Sequence, residues 1–259
     1  MGRYFTLAED FIAALRSVTT NHELQHMMDA AAREIGCRYW ALIHHDDLRH
    51  AAGSRVNLKD YPAAICERLI DQGRYRRDPI IKACLFAGSA FLWSELNNIV
   101  NLDRLDRASL EYGAREGLNE GITVPYVRLG DCMGSCTFAG MRCPAEAGHF
   151  LGAAQMIGVF AFQAARRLLG KTETLPRTKP VLHPRPRDCV VLAGRGYSNK
   201  QIARALSLTP RTVDGYLTEA RRLFDAHDRT ELVISAVLAG EVELHEIRRG
   251  AAPEFRSLT

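Results

Sequence analysis

The chain has 259 residues, is 47% apolar and 25% charged, and carries a formal net charge of +4. These values fit one large or two modest folded domains and exclude a low-complexity or strongly charged disordered chain. Seven cysteines, odd in number and with no CxxC pair, exclude a disulfide-built secreted scaffold, and no apolar run reaches the ~20 residues that span a bilayer.

Residues 1–16 read as an amphipathic helix rather than a secretory leader, which leaves the chain in the cytoplasm. Apolar residues at helical spacing mark helices over 7–15 and 24–35. The run CRYWALI, 37–43, is aromatic and β-favouring and reads as a strand. His44, His45, Asp46 and Asp47 follow as a polar cluster. It reads as a strand end and surface turn, with metal binding or acid–base chemistry as the sharper alternative. Residues 61–70 are helical, and Pro79 opens a second helix over 78–86. A helix over 102–116 ends at Gly117. Strands over 122–127 and 135–139 flank a Gly-Asp turn. A long helix over 145–169 has an apolar face of Phe150, Ala154, Ile157, Phe160 and Ala161, and a basic end at Arg166 and Arg167. Cys132, Cys136 and Cys143 read as small apolar residues rather than a metal or redox site.

The sharpest break is KTETLPRTKPVLHPRPR, 171–187, which holds four of the ten prolines. It is a stiff linker. Charge changes across it. Residues 1–170 hold 19 basic and 19 acidic residues, whereas 171–224 hold 11 against 4. A basic segment behind a neutral one points to a polyanionic partner for the second part.

Beyond the linker the pattern is helical in short pieces. One helix covers 187–194. Ser198 caps a helix over 199–206, Ser207 and Leu208 turn, and Thr209 caps a helix from Pro210 to about 224. A last helix covers 231–239 and stops at Gly240. The middle pair forms a helix-turn-helix. Val213, Leu217, Ala220 and Phe224 face its core. Arg211, Asp214, Gly215, Thr218 and Arg222 face outward, with short side chains that let the backbone approach base edges in a major groove. Lys200, Arg204, Arg211, Arg221 and Arg222 are candidates for phosphate contacts, and the helix N-terminus at Thr209 favours a phosphate as well.

The residues LHPR (182–185), GYSNKQIA (196–203), Thr212-Val213 and Arg229-Thr230 resemble the DNA-binding module of LuxR-type regulators. The resemblance departs at His183 and Pro186, where the family's N-terminal capping box is lost. It also departs at Asp214, often basic in the family, and at Tyr216. Asp214 is read either as an acceptor for a cytosine amino group or as a partner of Arg211 or Arg222.

The resemblance extends forward. YPAA (61–64), Asp78-Pro79-Ile80, Trp93-Ser94 and GLNEGITVP (117–125) are similar to the autoinducer-binding domain of quorum-sensing LuxR-type proteins. The resemblance implies an α/β/α sandwich enclosing an acyl-homoserine lactone. It implies that Asp78 accepts from the ligand amide, that Trp93 packs on the lactone ring, and that Tyr61 reaches the acyl carbonyl, with Ile80 and Thr137 also facing the pocket. Helix capping for Asp78 and plain core packing for Trp93 stand beside those roles. Two positions break the pattern. Ile65 stands where the family has a tryptophan that donates to the lactone carbonyl, and Leu69 replaces a second tyrosine. Neither can donate, so the ligand's carbonyl loses a hydrogen bond worth about 0.5–1.5 kcal/mol.

The expected protein is α+β: a sensor domain over 1–170 with an antiparallel sheet, a linker over 171–181, a four-helix DNA-binding domain over 182–247, and a tail over 248–259. Its expected function is transcription regulation, not catalysis. It is controlled by an acyl-homoserine lactone or a divergent signal, and uses no cofactor. Double-stranded DNA, the signal, a second copy of the chain and RNA polymerase are the expected partners, with no membrane. A ligand-independent regulator that acts by heterodimerising with another regulator is the alternative.

Overall fold

The computed structural model describes residues 2–45, 55–129, 132–170 and 180–248. The chain divides into two compact units, Met1–Glu173 and Thr174–Thr259.

Two helices open the first unit, α1 (Gly2–Leu15) and α2 (Asn21–Ile35). A capping box between Thr20 and Glu23 starts α2, and Gly36, left-handed at φ 83°, ends it. Five strands follow: β1 (Cys37–His44), β2 (Asn57–Asp60), β3 (Phe91–Leu92), β4 (Gly121–Tyr126) and β5 (Gly134–Met141). They form one sheet in the order β2-β1-β5-β4-β3, and every neighbouring pair is antiparallel. β5 lies at the centre, with all eight residues buried. β2 and β3 are absent from the sequence reading. Both are edge strands of four and two residues, too short to show a period.

Strand alternation separates the two faces of the sheet. Trp40, Leu42, Ile122, Val124, Cys136 and Phe138 join the core formed with α1, α2 and α7 (Leu151–Leu168). A Cβ on Gly158 would meet Val124 at 2.9 Å, so the α7 backbone rests directly on the sheet. The opposite face is covered by short helices: α3 (Ala63–Cys66), α4 (Pro79–Cys84), α5 (Leu96–Ile99) and α6 (Arg104–Arg115). This is the predicted sandwich.

Several local expectations are corrected. The helix expected over 61–70 is α3 followed by a π-helical turn, Glu67–Asp71. The helix expected over 145–169 begins as a 3-10 segment, Pro144–Phe150, in which Gly148 is a poor helix former. Phe160 is 43% exposed and leaves the core. Arg166 is no basic surface end: it is buried and donates to the Tyr126 hydroxyl at 3.2 Å. Arg167 donates to the Leu15 carbonyl at 2.9 Å. The Gly-Asp turn, Asp46, Asp47, linker residues 171–179 and tail residues 249–259 lie outside the described residues.

The second unit is helical: α8 (Pro184–Gly194), α9 (Asn199–Leu206), α10 (Pro210–Leu223), α11 (Arg229–Leu238) and a short α12 (Leu244–Ile247). Ser198, Thr209 and Asp228 each accept a first-turn amide, whereas His183 caps nothing with its side chain. Val190, Leu192, Ile202, Val213, Leu232 and Ala236 anchor a core of their own.

Candidate functional site

The sheet face opposite α7 and the short helices above it enclose a cavity of about 80 Å³. Tyr61, Ile65, Leu69, Asp78, Ile80, Trp93 and Thr137, all singled out from the sequence, line this one space. Five places in the chain meet there, one of them Thr137 on β5. Tyr61 lies between β2 and α3, Ile65 and Leu69 share a helical face, Asp78 and Ile80 open α4, and Trp93 follows β3.

Asp78 caps α4. Its Oδ1 accepts from the amides of Ile80 at 2.9 Å and Ile81 at 3.1 Å. The capping role is therefore real, and it leaves Oδ2 for another donor. Burial raises the Asp78 carboxyl to about 6, against the pull of those two amides, with Asp106 raising it further and Arg68 lowering it.

A hydroxyl relay crosses the cavity floor. Trp93 Nε1 donates to Thr123 Oγ1 at 2.9 Å, and Thr123 Oγ1 lies 3.1 Å from Thr137 Oγ1. An indole N–H only donates. The arrangement in which Thr123 accepts from it and passes its own hydrogen to Thr137 therefore leaves the Thr137 hydroxyl to donate toward the cavity that Tyr61 also lines. Burial, and then the charge of Asp78, push the Tyr61 phenol upward, so it stays protonated. Glu120 fixes the Trp93 turn by accepting from the Ser94 amide at 3.3 Å. Gly121 gives the indole room, since a Cβ there would meet Trp93 at 2.8 Å.

The sequence reading missed His45, Arg68, Leu110, Tyr112, Leu118 and Ser135, which also line the cavity. A signal existed for Ser135. It is two residues before Thr137 on β5, and strand residues two apart share a face. The same rule carries Ala41 and Ile43 on to His45. His45 is not the surface turn expected: it is half-buried and lies 2.9 Å from Ser135 Oγ. Burial, then the charge of His44, lower it to about 4, so it is neutral near pH 7. Arg68 follows Ile65 by three residues, a spacing that keeps it on the same helical side. Cys136 is buried in β5 and Cys143 is exposed.

In the second unit the basic residues sort into two groups. Arg187 donates twice to Glu246, at 2.9 and 2.7 Å, and Arg195 donates to the Glu246 carbonyl at 2.6 Å. Arg229 donates to Asn199 Oδ1 at 3.0 Å and to the Tyr197 carbonyl. These three hold the fold. Lys200, Arg204, Arg211 and Arg222 are exposed, and half-buried Arg221 donates to Thr218 Oγ1 at 3.2 Å. Thr209 Oγ1 accepts from the Thr212 amide at 3.1 Å, so the α10 N-terminus is capped as expected. Asp214 and Gly215 are exposed beside them, and nothing lies within 4 Å of where a Gly215 Cβ would sit. Asp214 takes neither Arg211 nor Arg222 as its partner: it accepts from Asn199 Nδ2 at 3.3 Å, which ties α10 to α9.

Comparison with known proteins places both units. Residues 20–168, more than half of the chain, match the autoinducer binding domain family. Residues 180–236 match the luxR family of bacterial regulatory proteins. The chain is 29% identical over 171 residues to the quorum sensing-dependent transcriptional regulator RpaR of Rhodopseudomonas palustris, covering 64% of this chain and 67% of that one. It is 22% identical over 237 residues to the transcriptional activator AnoR of Acinetobacter nosocomialis, covering 90% and 97%. The crystal structure of Escherichia coli SdiA has the same fold, with a TM-score of 0.54 at 16% identity over 92% of this chain and 98% of that one.

Proposed function

This chain belongs to the LuxR family of autoinducer-binding transcription regulators, and we propose that its sensor reads the amide of an N-acylated signal and little of a neutral lactone ring. It is a ligand-controlled DNA-binding regulator, not an enzyme. One observation carries the reading of the signal. Asp78 and Tyr61, the amide-reading pair, face one cavity together with Ile65 and Leu69, which have nothing to donate to a ring carbonyl. The signal is its ligand, and no other cofactor takes part.

On DNA the regulator acts as a homodimer in the cytoplasm, with RNA polymerase as a partner at the promoter. Two recognition helices one DNA turn apart require a two-fold mate. The outward side of α7, with exposed Phe160 and half-buried Met156 and Val159, is the surface we assign to it. α10 enters the major groove, where Asp214, Gly215 and Thr218 meet base edges. Lys200, Arg204, Arg211, Arg221 and Arg222 meet phosphates, as does the Thr209–Thr212 hydroxyl pair at the capped N-terminus of α10.

A thermal melt with a panel of N-acyl and N-aroyl compounds tests this. A ligand at 100 times its Kd stabilises by about 2.7 kcal/mol, which raises Tm by several degrees. A panel that leaves Tm unchanged overturns the proposal. That outcome, with a stable ligand-free protein, favours the ligand-independent regulator that pairs with another. The cavity volume is the observation on its side, since about 80 Å³ lies below the ~300–1,000 Å³ of small-molecule pockets.

A further inference from the structure

Ile65, Arg68 and Leu69 lie on one side of the helical wall of the cavity, and the middle one is a cation. Arg68 belongs to the π-helical turn Glu67–Asp71, an irregularity that recurs where a helix serves a site. Its guanidinium carbon lies 4.3 Å from the centroid of the Tyr112 ring. Tyr112 also lines the cavity. Stacking on an aromatic face holds the plane of a guanidinium and leaves its N–H edges free to donate. Among the described residues the cavity's other basic side chain is His45, which is neutral near pH 7. Arg68 is therefore the permanent positive charge in a wall that is otherwise apolar at the two neighbouring positions.

We infer that Arg68 receives a carboxylate, so that the ligand of this sensor is an open-chain N-acyl amino acid rather than a lactone. The inference rests on the amide-reading role proposed for Asp78 and Tyr61. In an N-acyl amino acid the carboxylate hangs from the carbon next to the amide nitrogen. One small ligand thus offers an N–H to Asp78, a carbonyl to Tyr61 and an anion to Arg68. Arg68 replaces, as a charged fork, the neutral donors that Ile65 and Leu69 do not supply. A charge-assisted bond of this kind is roughly twice as strong as a neutral one. The nearest anion in the cavity is Asp78, whose Oδ1 is held by the Ile80 and Ile81 amides, and a neutral lactone brings half-buried Arg68 no further acceptor of negative charge.

The test uses the full chain at pH 7.0 with N-butanoyl-, N-octanoyl- and N-phenylacetyl-homoserine, each measured against its own lactone by calorimetry and thermal melt. The expected result is that at least one open-chain compound binds at least tenfold more tightly than its lactone. Arg68→Met should abolish that preference, and Arg68→Lys, which keeps the charge but loses the fork, should retain part of it. If Arg68→Met does not fold, the comparison of wild type with Arg68→Lys still decides. Lactones that bind as tightly as or more tightly than their open forms overturn this inference and leave the amide reading standing. Neither form binding overturns both. A preference unchanged in Arg68→Met removes Arg68 from the argument.

Discussion

Asp78→Asn should make the ligand-free sensor more stable and less responsive at once. Burial holds the Asp78 carboxyl at about 6 in the fold, against about 3.9 in an unfolded chain. Keeping it charged at pH 7.5 therefore costs up to roughly 3 kcal/mol. Asp78 is half-buried, so water screens part of that, and about 1–2 kcal/mol is the expected gain on removing the charge. Asparagine caps a helix about as well as aspartate, so the bonds to the Ile80 and Ile81 amides survive the exchange. The folded value lies above the unfolded one, so the cost is absent below about pH 4 and complete above about pH 6. His45 works in the opposite sense over nearly the same window. Its folded value of about 4 lies below the unfolded one, so its contribution is lost as pH falls from about 6.5 toward 4. The wild-type profile is flatter than either, and the difference between variant and parent at two pH values is the readable quantity. The chain's two tryptophans, Trp40 and Trp93, both lie in the first unit, so their fluorescence during urea unfolding reports the sensor alone. Asp78→Asn should gain about 1–2 kcal/mol at pH 7.5 and visibly less at pH 5.0. It should also weaken ligand binding about tenfold or more, the worth of a hydrogen bond to a charged group. A variant equally destabilised at both pH values would refute the reasoning and make the carboxylate a helix cap and nothing more.

Gly121→Ala sets a methyl 2.8 Å from the Phe138 carbonyl and 2.8 Å from the Trp93 ring. The carbonyl belongs to the sheet and cannot retreat, so a loss of about 1–3 kcal/mol with a shifted Trp93 emission is expected on urea unfolding. Ser207 ends α9 in a left-handed conformation at φ 56°. Ser207→Gly should therefore stabilise the second unit by about 1 kcal/mol, read from helical circular dichroism on melting. Arg222→Ala should weaken binding to every DNA sequence and lower the salt slope by about 1, whereas Asp214→Ala should change site preference with the slope kept. Equal behaviour of the two in a binding assay on several sites would contradict the assignment of faces on α10.

The elements most legible in the sequence are those whose signals are local and agree. Ser198, Thr209 and Pro210 mark the ends of α9 and α10 by cap chemistry, and the structure keeps the α9 bounds at Asn199–Leu206 as read. What escaped was set by partners distant in the chain. β2 and β3 exist because β1 and β4 offer edges, a fact that no window of two to four residues contains. Phe160 was misassigned for a related reason. A 3.6-residue period shows that a helix has an apolar stripe, but α7 is apolar almost all round, so the stripe alone does not say which flank the sheet takes.

The candidate site shows the same division one level up. Resemblance located seven cavity residues because each sits in a short motif whose residue type is demanded by chemistry. Asp78 caps and accepts, and Trp93 needs a glycine opposite it at position 121. Motifs are silent about the departures that matter most. By sequence Ile65 and Leu69 are donors lost, and the ligand's carbonyl goes without a hydrogen bond. The structure adds Arg68, His45 and Ser135 to the same wall and floor, so polarity was moved rather than removed. Arg68 could not be recognised as a pocket residue from its own neighbourhood, since an arginine in a run of ERLID reads as solvated surface. Only Tyr112, 44 positions later on α6, turns that side chain from water toward the cavity, by stacking against it. The ligand chemistry of this sensor is thus written in a pair of residues that the chain keeps far apart and the fold brings together.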